Sequence, residues 1–186
     1  FSGLLYHVVW QRLLGFFSGG EVVSATIVVA AFLTGLGTGT GAARFFVDRF
    51  QPREALFYFG VAELVIAAFG LFSKTLFYDI IYVGLREYSF SLLTTYAILF
   101  LCILLPTFVM GLTMPLFSRI FTDDINSAAK KISIANASNI WGSVIGCLLS
   151  GWYFLGTFGY EKTLLLGALV NLLAGIFAFV FSAKIN

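Results

Sequence analysis

Residues 88–118 read YSFSLLTTYAILFLCILLPTFVMGLTMPLFS, 31 positions without one charged side chain. Residues 132–160 form a second such run of 29, and residues 22–43 and 163–183 form two more. A helix of about 20 predominantly apolar residues crosses the ~30 Å hydrocarbon layer of a bilayer. An ionised side chain at mid-membrane costs at least ~2.5 kcal/mol, so long uncharged runs mark where lipid excludes charge. The pattern predicts an all-α integral membrane protein.

Composition agrees. The chain is 60% hydrophobic and 11% charged with a mean hydropathy of +0.97, against roughly 25% charged for a typical soluble domain. With 186 residues it has room for six spans joined by short connections, hence one transmembrane domain over 1–186. A net charge of +2 without a basic tract gives no reason to expect nucleic acid as a partner. Cys102 and Cys147 lie inside expected spans as small apolar residues, and no metal-ligand spacing is present. The chain opens at Phe1 with neither Met nor a positive segment leading to a cleavage site. It is therefore expected to be a piece whose natural N-terminus lies upstream.

The expected helices cover about 1–18, 22–46, 53–73, 90–117, 129–156 and 160–183. Gln51-Pro52 separates the second from the third, because proline drives the preceding residue out of helix. Residues 75–88 mix Asp79, Arg86 and Glu87 with Leu76, Phe77, Ile80 and Ile81. That spacing suits an amphipathic helix in the interface, with Tyr78, Tyr82 and Tyr88 at headgroup depth. A surface loop with a hydrophobic turn is the alternative. Six spans place Arg44, Arg49, Arg53, Arg119, Lys130, Lys131 and Lys184 on one side, and Arg12, Lys74, Arg86 and Lys162 on the other. The positive-inside rule then puts both termini in the cytoplasm, in a bacterial inner membrane.

The chain also resembles itself. A shift of 107 residues lays Gly35 on Gly142, Gly39 on Gly146, Glu54 on Glu161 and Gly60 on Gly167. A shift of 108 lays Glu63 on Asn171 and Gly3 on Gly111. Two three-helix units, about 1–74 and 90–184, are expected, inverted relative to each other as in many transporter folds.

Few residues could carry chemistry. Gly35, Gly37, Gly39 and Gly41 make interleaved small-xxx-small pairs, and Gly142 and Gly146 offer a matching face, so helices two and five are expected to pack closely. Glu63 is a lone carboxylate halfway along the third helix, expected in the bundle interior within hydrogen-bond reach of another helix. Asn171 is its repeat counterpart. His7 and Gln11 share a helix face beside Trp10, and Asn136 and Asn139 share another. Each of these reads either as a polar site or as hydrogen-bonding glue between helices. Pro106 and Pro115 release backbone carbonyls in the fourth helix, which means a kink or a cation site. No nucleophile–base pair, acid–base carboxylate pair, metal cluster or cofactor loop is present, so no catalytic residue is assigned.

The segments YHVVWQRLL (6–14) and AAFLTGLGTG (30–39), with Asp48-Arg49, resemble the membrane domain of membrane-bound spermidine synthase-like proteins, the fused major facilitator/spermidine synthase sequences of bacteria. LPTFVMGLTMPL (105–116) and ANASNIWGSVIG (135–146) resemble two further motifs of that group. His7 stands where that family usually has Glu or Gln. The resemblance implies a cytoplasmic aminopropyltransferase-like domain after Asn186, using decarboxylated S-adenosylmethionine and putrescine, none of whose catalytic machinery lies in this segment. The leading expectation is a membrane domain that anchors such an enzyme and supplies or exports its substrate or product. The alternatives are a half-size secondary transporter acting as a dimer, and a structural subunit of a larger membrane complex.

Overall fold

The computed structural model describes residues 1–18, 20–84, 91–121 and 125–184. Among them there is no strand. The helices are α1 (Ser2–Ser18), α2 (Glu21–Ala43), α3 (Pro52–Lys74), α4 (Leu92–Arg119), α5 (Ile125–Leu149) and α6 (Leu155–Ser182). Four stretches are long and apolar enough to cross a membrane: Val22–Arg49, Pro52–Gly84, Leu93–Arg119 and Ala128–Ser182. The last is 55 residues long and holds α5 and α6 together. It breaks at Gly159, whose φ of 74° is left-handed backbone that a side chain disfavours. This is where the sequence separates the fifth and sixth helices.

α3 begins as the sequence dictates. Pro52 occupies the first turn, where its missing N–H is not needed, and Gln51 and Glu54 cap each other's backbone. Its end differs from expectation. Residues Thr75–Gly84 do not form a separate helix lying in an interface but continue α3 in wider, π-type turns. In those turns Phe77 and Ile81 fall on one side and are buried, with the Phe77 ring 6.2 Å from that of Trp10. Burial of two large side chains against α1 outweighs the interfacial preference of the tyrosines on the opposite side. Residues 85–90, with Arg86, Glu87 and Tyr88, lie outside the described part.

α1 is the hub, packed against α2, α5 and α6. Leu5, Tyr6, Val9, Trp10, Leu13 and Leu14 are all buried. The Tyr6 ring passes between two glycines: a Cβ on Gly70 would come within 2.5 Å of its hydroxyl, and one on Gly167 within 2.8 Å of its Cε1. Trp10 stacks on Tyr6 at 5.5 Å and meets the edges of Phe69 and Phe77. The Tyr6 hydroxyl and the Trp10 N–H have no hydrogen-bond partner among the described residues, so ring shape holds this cluster.

Contacts fix the helix directions. Ala31 and Gly35 of α2 meet Thr107 of α4, while Gly39 and Thr40 meet Gly111, so α2 and α4 run parallel. α1 runs parallel to α5, with Phe1 beside Gly142 and Gly146 and Val8 beside Gly151. α3 and α6 are antiparallel: Gly60 abuts Gly175, and Lys74 pairs with Glu161 at 3.2 Å. Tyr6 beside Gly70 and Trp10 beside Phe77 align α1 with α3. His7 beside Phe32 and Gly15 beside Ser24 oppose α1 to α2. Odd-numbered helices thus point one way and even-numbered helices the other.

The expected seam between helices two and five is replaced by a different one. Gly35 and Gly39 press on α4, where a Cβ at either would overlap Thr107 or the Phe108 carbonyl, and a Cβ at Gly111 would lie 2.6 Å from the Leu36 oxygen. Gly142 and Gly146 face Phe1 instead of α2. Gly37 and Gly41 face open space. A small-xxx-small pattern marks a close-approach face but does not name the helix that fills it. The outer surface is apolar, with Val22, Leu93, Trp141 and Trp152 exposed, as suits contact with lipid.

These glycines are separable by stability. Gly39→Ala is expected to lower stability by about 1–3 kcal/mol, because the new methyl must displace α4 backbone. Gly37→Ala and Gly41→Ala, on the open side of the same helix, are expected to be neutral or stabilising by up to about 1 kcal/mol. Thermal unfolding in detergent measures all three, and equal effects at 37 and 39 would refute the α2–α4 contact.

Candidate functional site

Glu63 on α3 and Asn171 on α6 both line an interior cavity of about 480 Å³, as the antiparallel contacts on either side of that level require. Thr40, Thr113, Asn139 and Ser143 contribute the other polar walls, and Leu36, Ile66 and Met110 apolar ones. The volume lies within the ~300–1,000 Å³ typical of small-molecule sites.

The hydrogen bonds determine what this cavity can hold. Pro115 has no N–H to give to the carbonyl of Gly111, one turn back. The Thr40 hydroxyl donates to that carbonyl at 2.9 Å from α2, repairing the break and tying the two helices together. Thr113 donates to Met110 O at 2.7 Å. Both threonines have therefore spent their protons and present only lone pairs inward. Asn171 is 1% exposed; its Oδ1 accepts from the Ser2 hydroxyl and its Nδ2 has no partner. Glu63 accepts no hydrogen bond among the described residues, and the α-amino group of Phe1 lies near enough to interact with it electrostatically. The cavity is thus rich in acceptors, holds one carboxylate and has one unused buried donor. It suits a small cation that donates hydrogen bonds, and among the described residues no group of three metal-ligating side chains exists.

Glu63 sits inside the bundle as expected, yet it reaches a cavity and not a hydrogen bond from another helix. Asn139 joins it, whereas Asn136 is exposed and outside the cavity lining. His7 is half-buried against the edge of Phe32, with Nδ1 unpartnered. Gln11 lines a separate cavity of about 290 Å³ with Arg12, Ser24 and Tyr160. Thr40, Thr113 and Ser143 were not singled out in the sequence. Only Thr40 left a trace there, since Pro115 demands a donor for Gly111. Pro106 brings no comparable cross-link, although the hydroxyl of Thr107 lies 2.8 Å from Ile103 O and 3.3 Å from Ala31 O of α2.

Fold and cavity together define an all-helical protein with apolar helices and an acceptor-lined interior. It is similar to two curated proteins. One is polyamine aminopropyltransferase 1 of Streptomyces coelicolor, 28% identical over 179 residues, which are 96% of this chain and 32% of that protein. The other is polyamine aminopropyltransferase of Corynebacterium efficiens, 24% identical over 176 residues, 95% of this chain and 32% of that protein. The chain spans about a third of the length of these relatives. No protein-family model matches the chain, and no solved structure matches it.

The Thr40 bond can be measured directly. Thr40→Val should cost about 0.6–1.7 kcal/mol, the range for hydrogen bonds between helices in lipid. In a Pro115→Ala background, where residue 115 regains its N–H, the same substitution should cost less. A double-mutant cycle in detergent reads the difference, and a coupling of zero would show that Thr40 does not answer the proline.

Proposed function

We propose that the chain is the membrane domain of a polyamine aminopropyltransferase-like protein of the bacterial cytoplasmic membrane, with both termini in the cytoplasm. It anchors the enzyme and passes an amine substrate or product through the cavity at Glu63. The observation that carries this reading is the similarity over nearly the whole chain to two proteins of that name. Six crossings follow from the alternating helix directions, with α5 and α6 reversing at Gly159.

Two inverted units are supported by matched contacts. Gly35 meets Phe108 and Gly142 meets Phe1; Gly39 meets Phe108 and Gly146 meets Phe1. Each of these residues moves onto its counterpart under the same shift of 107 positions. The antiparallel pair α3–α6 is what an in-plane pseudo-two-fold demands of its own repeated element, and Glu63 and Asn171 fall at the middle of that pair. Sites between inverted repeats lie at this depth in many transporters. That placement favours the second reading, a half-size secondary transporter acting as a dimer.

The amine reading rests on balance of charge. A single carboxylate offsets a single ammonium, and the threonine oxygens and Asn171 supply neutral contacts around it. The catalytic step, with its aminopropyl donor, belongs to residues outside this segment, and no cofactor is assigned here.

Two measurements test the proposal. Reporters fused after Lys184 and inserted at Gly84 should lie on opposite sides of the membrane, the first in the cytoplasm; a common side would remove one crossing. In proteoliposomes, putrescine uptake should fall by at least tenfold in Glu63→Gln, which keeps the shape but cannot ionise, while its melting temperature stays unchanged. Full uptake by a folded Gln variant would exclude Glu63 from the path.

A further inference from the structure

The opposite ends of the α3–α6 pair treat charge differently. At one end the cation is neutralised by the protein itself, since Lys74 of α3 pairs with Glu161 of α6 at 3.2 Å. At the other end a groove of about 500 Å³ opens between the start of α3 and the end of α6, lined by Arg53, Phe57, Tyr58, Phe179 and Ser182. Glu54 also borders it, but its Oε2 is engaged by the backbone N–H of Gln51 at 2.9 Å, as part of the cap that starts α3. Ser182 gives its proton to Phe179 O at 2.9 Å. Arg53 is exposed and has no carboxylate partner among the described residues.

The floor below Arg53 is aromatic. Phe57 lies 5.2 Å from Phe179, and Tyr58 stacks on Phe50 at 4.7 Å. Phe57 and Tyr58 are each nearly half exposed, so their rings face outward along the bundle wall. The same end of the bundle carries Arg44, Arg49 and Lys184, the last with its ammonium 5.9 Å from the Phe181 ring. An unpaired guanidinium above a strip of exposed rings at a helix-pair end matches a molecule with an anionic head and a hydrocarbon tail. Arginine suits a phosphate because its planar fork can bind two oxygens together.

We propose that this groove binds one anionic phospholipid, its phosphate on Arg53 and an acyl chain along Phe57, Tyr58 and Phe179. The inference rests on the membrane reading above and on the placement of this end in the cytoplasmic leaflet. It does not depend on any role for Glu63.

The test uses the whole protein in a neutral detergent, exchanged against phosphatidylglycerol or phosphatidylcholine and followed by native mass spectrometry and thermal melting. Phosphatidylglycerol should be retained about fivefold more than phosphatidylcholine, the factor that ~1 kcal/mol for one basic side chain at a membrane surface gives. Arg53→Gln should abolish that preference and Arg53→Lys should restore part of it. Arg49→Gln, on the same side but outside the groove, should leave it intact. Equal retention of the two lipids would overturn the proposal and leave only a hydrophobic annulus. An equal loss in Arg49→Gln would overturn it in favour of diffuse surface charge. Displacement of the lipid by millimolar sodium phosphate would overturn it in favour of a free-anion site. Reporter fusions that place this end outside would instead fail the membrane orientation and leave the groove chemistry standing.

Discussion

Backbone-to-backbone contact at glycine is the constraint on which the other features depend. In a chain that is 60% hydrophobic, with large apolar side chains covering the outside as well as the inside, burial alone cannot decide which faces meet. Shape decides it. Gly39 against Gly111 brings α2 and α4 to touching distance, Gly60 against Gly175 does the same for α3 and α6, and Gly70 with Gly167 admits the Tyr6 ring of α1. A methyl group at any of these points has nowhere to go without moving backbone or a packed ring. The arrangement is therefore specified by the absence of side chains at a few positions more than by the presence of apolar ones elsewhere.

The cavity follows from that closeness. Because α2 lies directly on α4, Thr40 can reach the carbonyl that Pro115 leaves bare. The same repair turns both threonine oxygens inward as acceptors. On the other side α1 hydrogen-bonds α6 through Ser2 and Asn171, which orients the Asn171 amide with its N–H group unspent. Glu63 then faces acceptors and one donor across an enclosed space, where an arriving ammonium gains more than it would in water because the surroundings screen little. A proline in one helix thus bears on the ligand chemistry of a site built mainly by its neighbours.

Much of this was legible in the sequence, and the rest was hidden for identifiable reasons. Uncharged runs located the helices because charge exclusion is a one-dimensional property. The Gly159 break and the capped start at Pro52 are also local signals. The interfacial segment was misread because Phe77 and Ile81 look amphipathic in isolation, and only the position of Trp10 shows that they are core. The glycine seam was half right: Gly35 and Gly39 do mark a contact face, but their partner is α4, since pairing is a property of the whole bundle. Glu63 and Asn171 came together through the internal shift of 108 residues, a long-range signal that needed no structure. Thr113 and Ser143 could not have been picked out, because nothing in their surroundings separates them from other hydroxyls in apolar helices.

The internal shift also shows where the two halves part company. Moving Thr40 by 107 residues arrives at Cys147, and moving Pro115 back by the same amount arrives at Val8. Val8 keeps its N–H, so the carbonyl of Leu4 needs no outside donor, and a thiol is a weak donor in any case. The α1–α5 contact therefore lacks the hydroxyl-to-carbonyl tie that fastens α2 to α4. α5 has no other large contact with a neighbouring helix, and most of its residues are exposed. It nevertheless supplies Asn139 and Ser143 to the cavity wall. One wall of the polar cavity is thus carried by the least restrained helix, while the carboxylate is carried by a pair locked at Gly60 and Gly175. A site that must both hold a cation and release it needs one rigid side and one yielding side, and this division between α3 and α5 provides them.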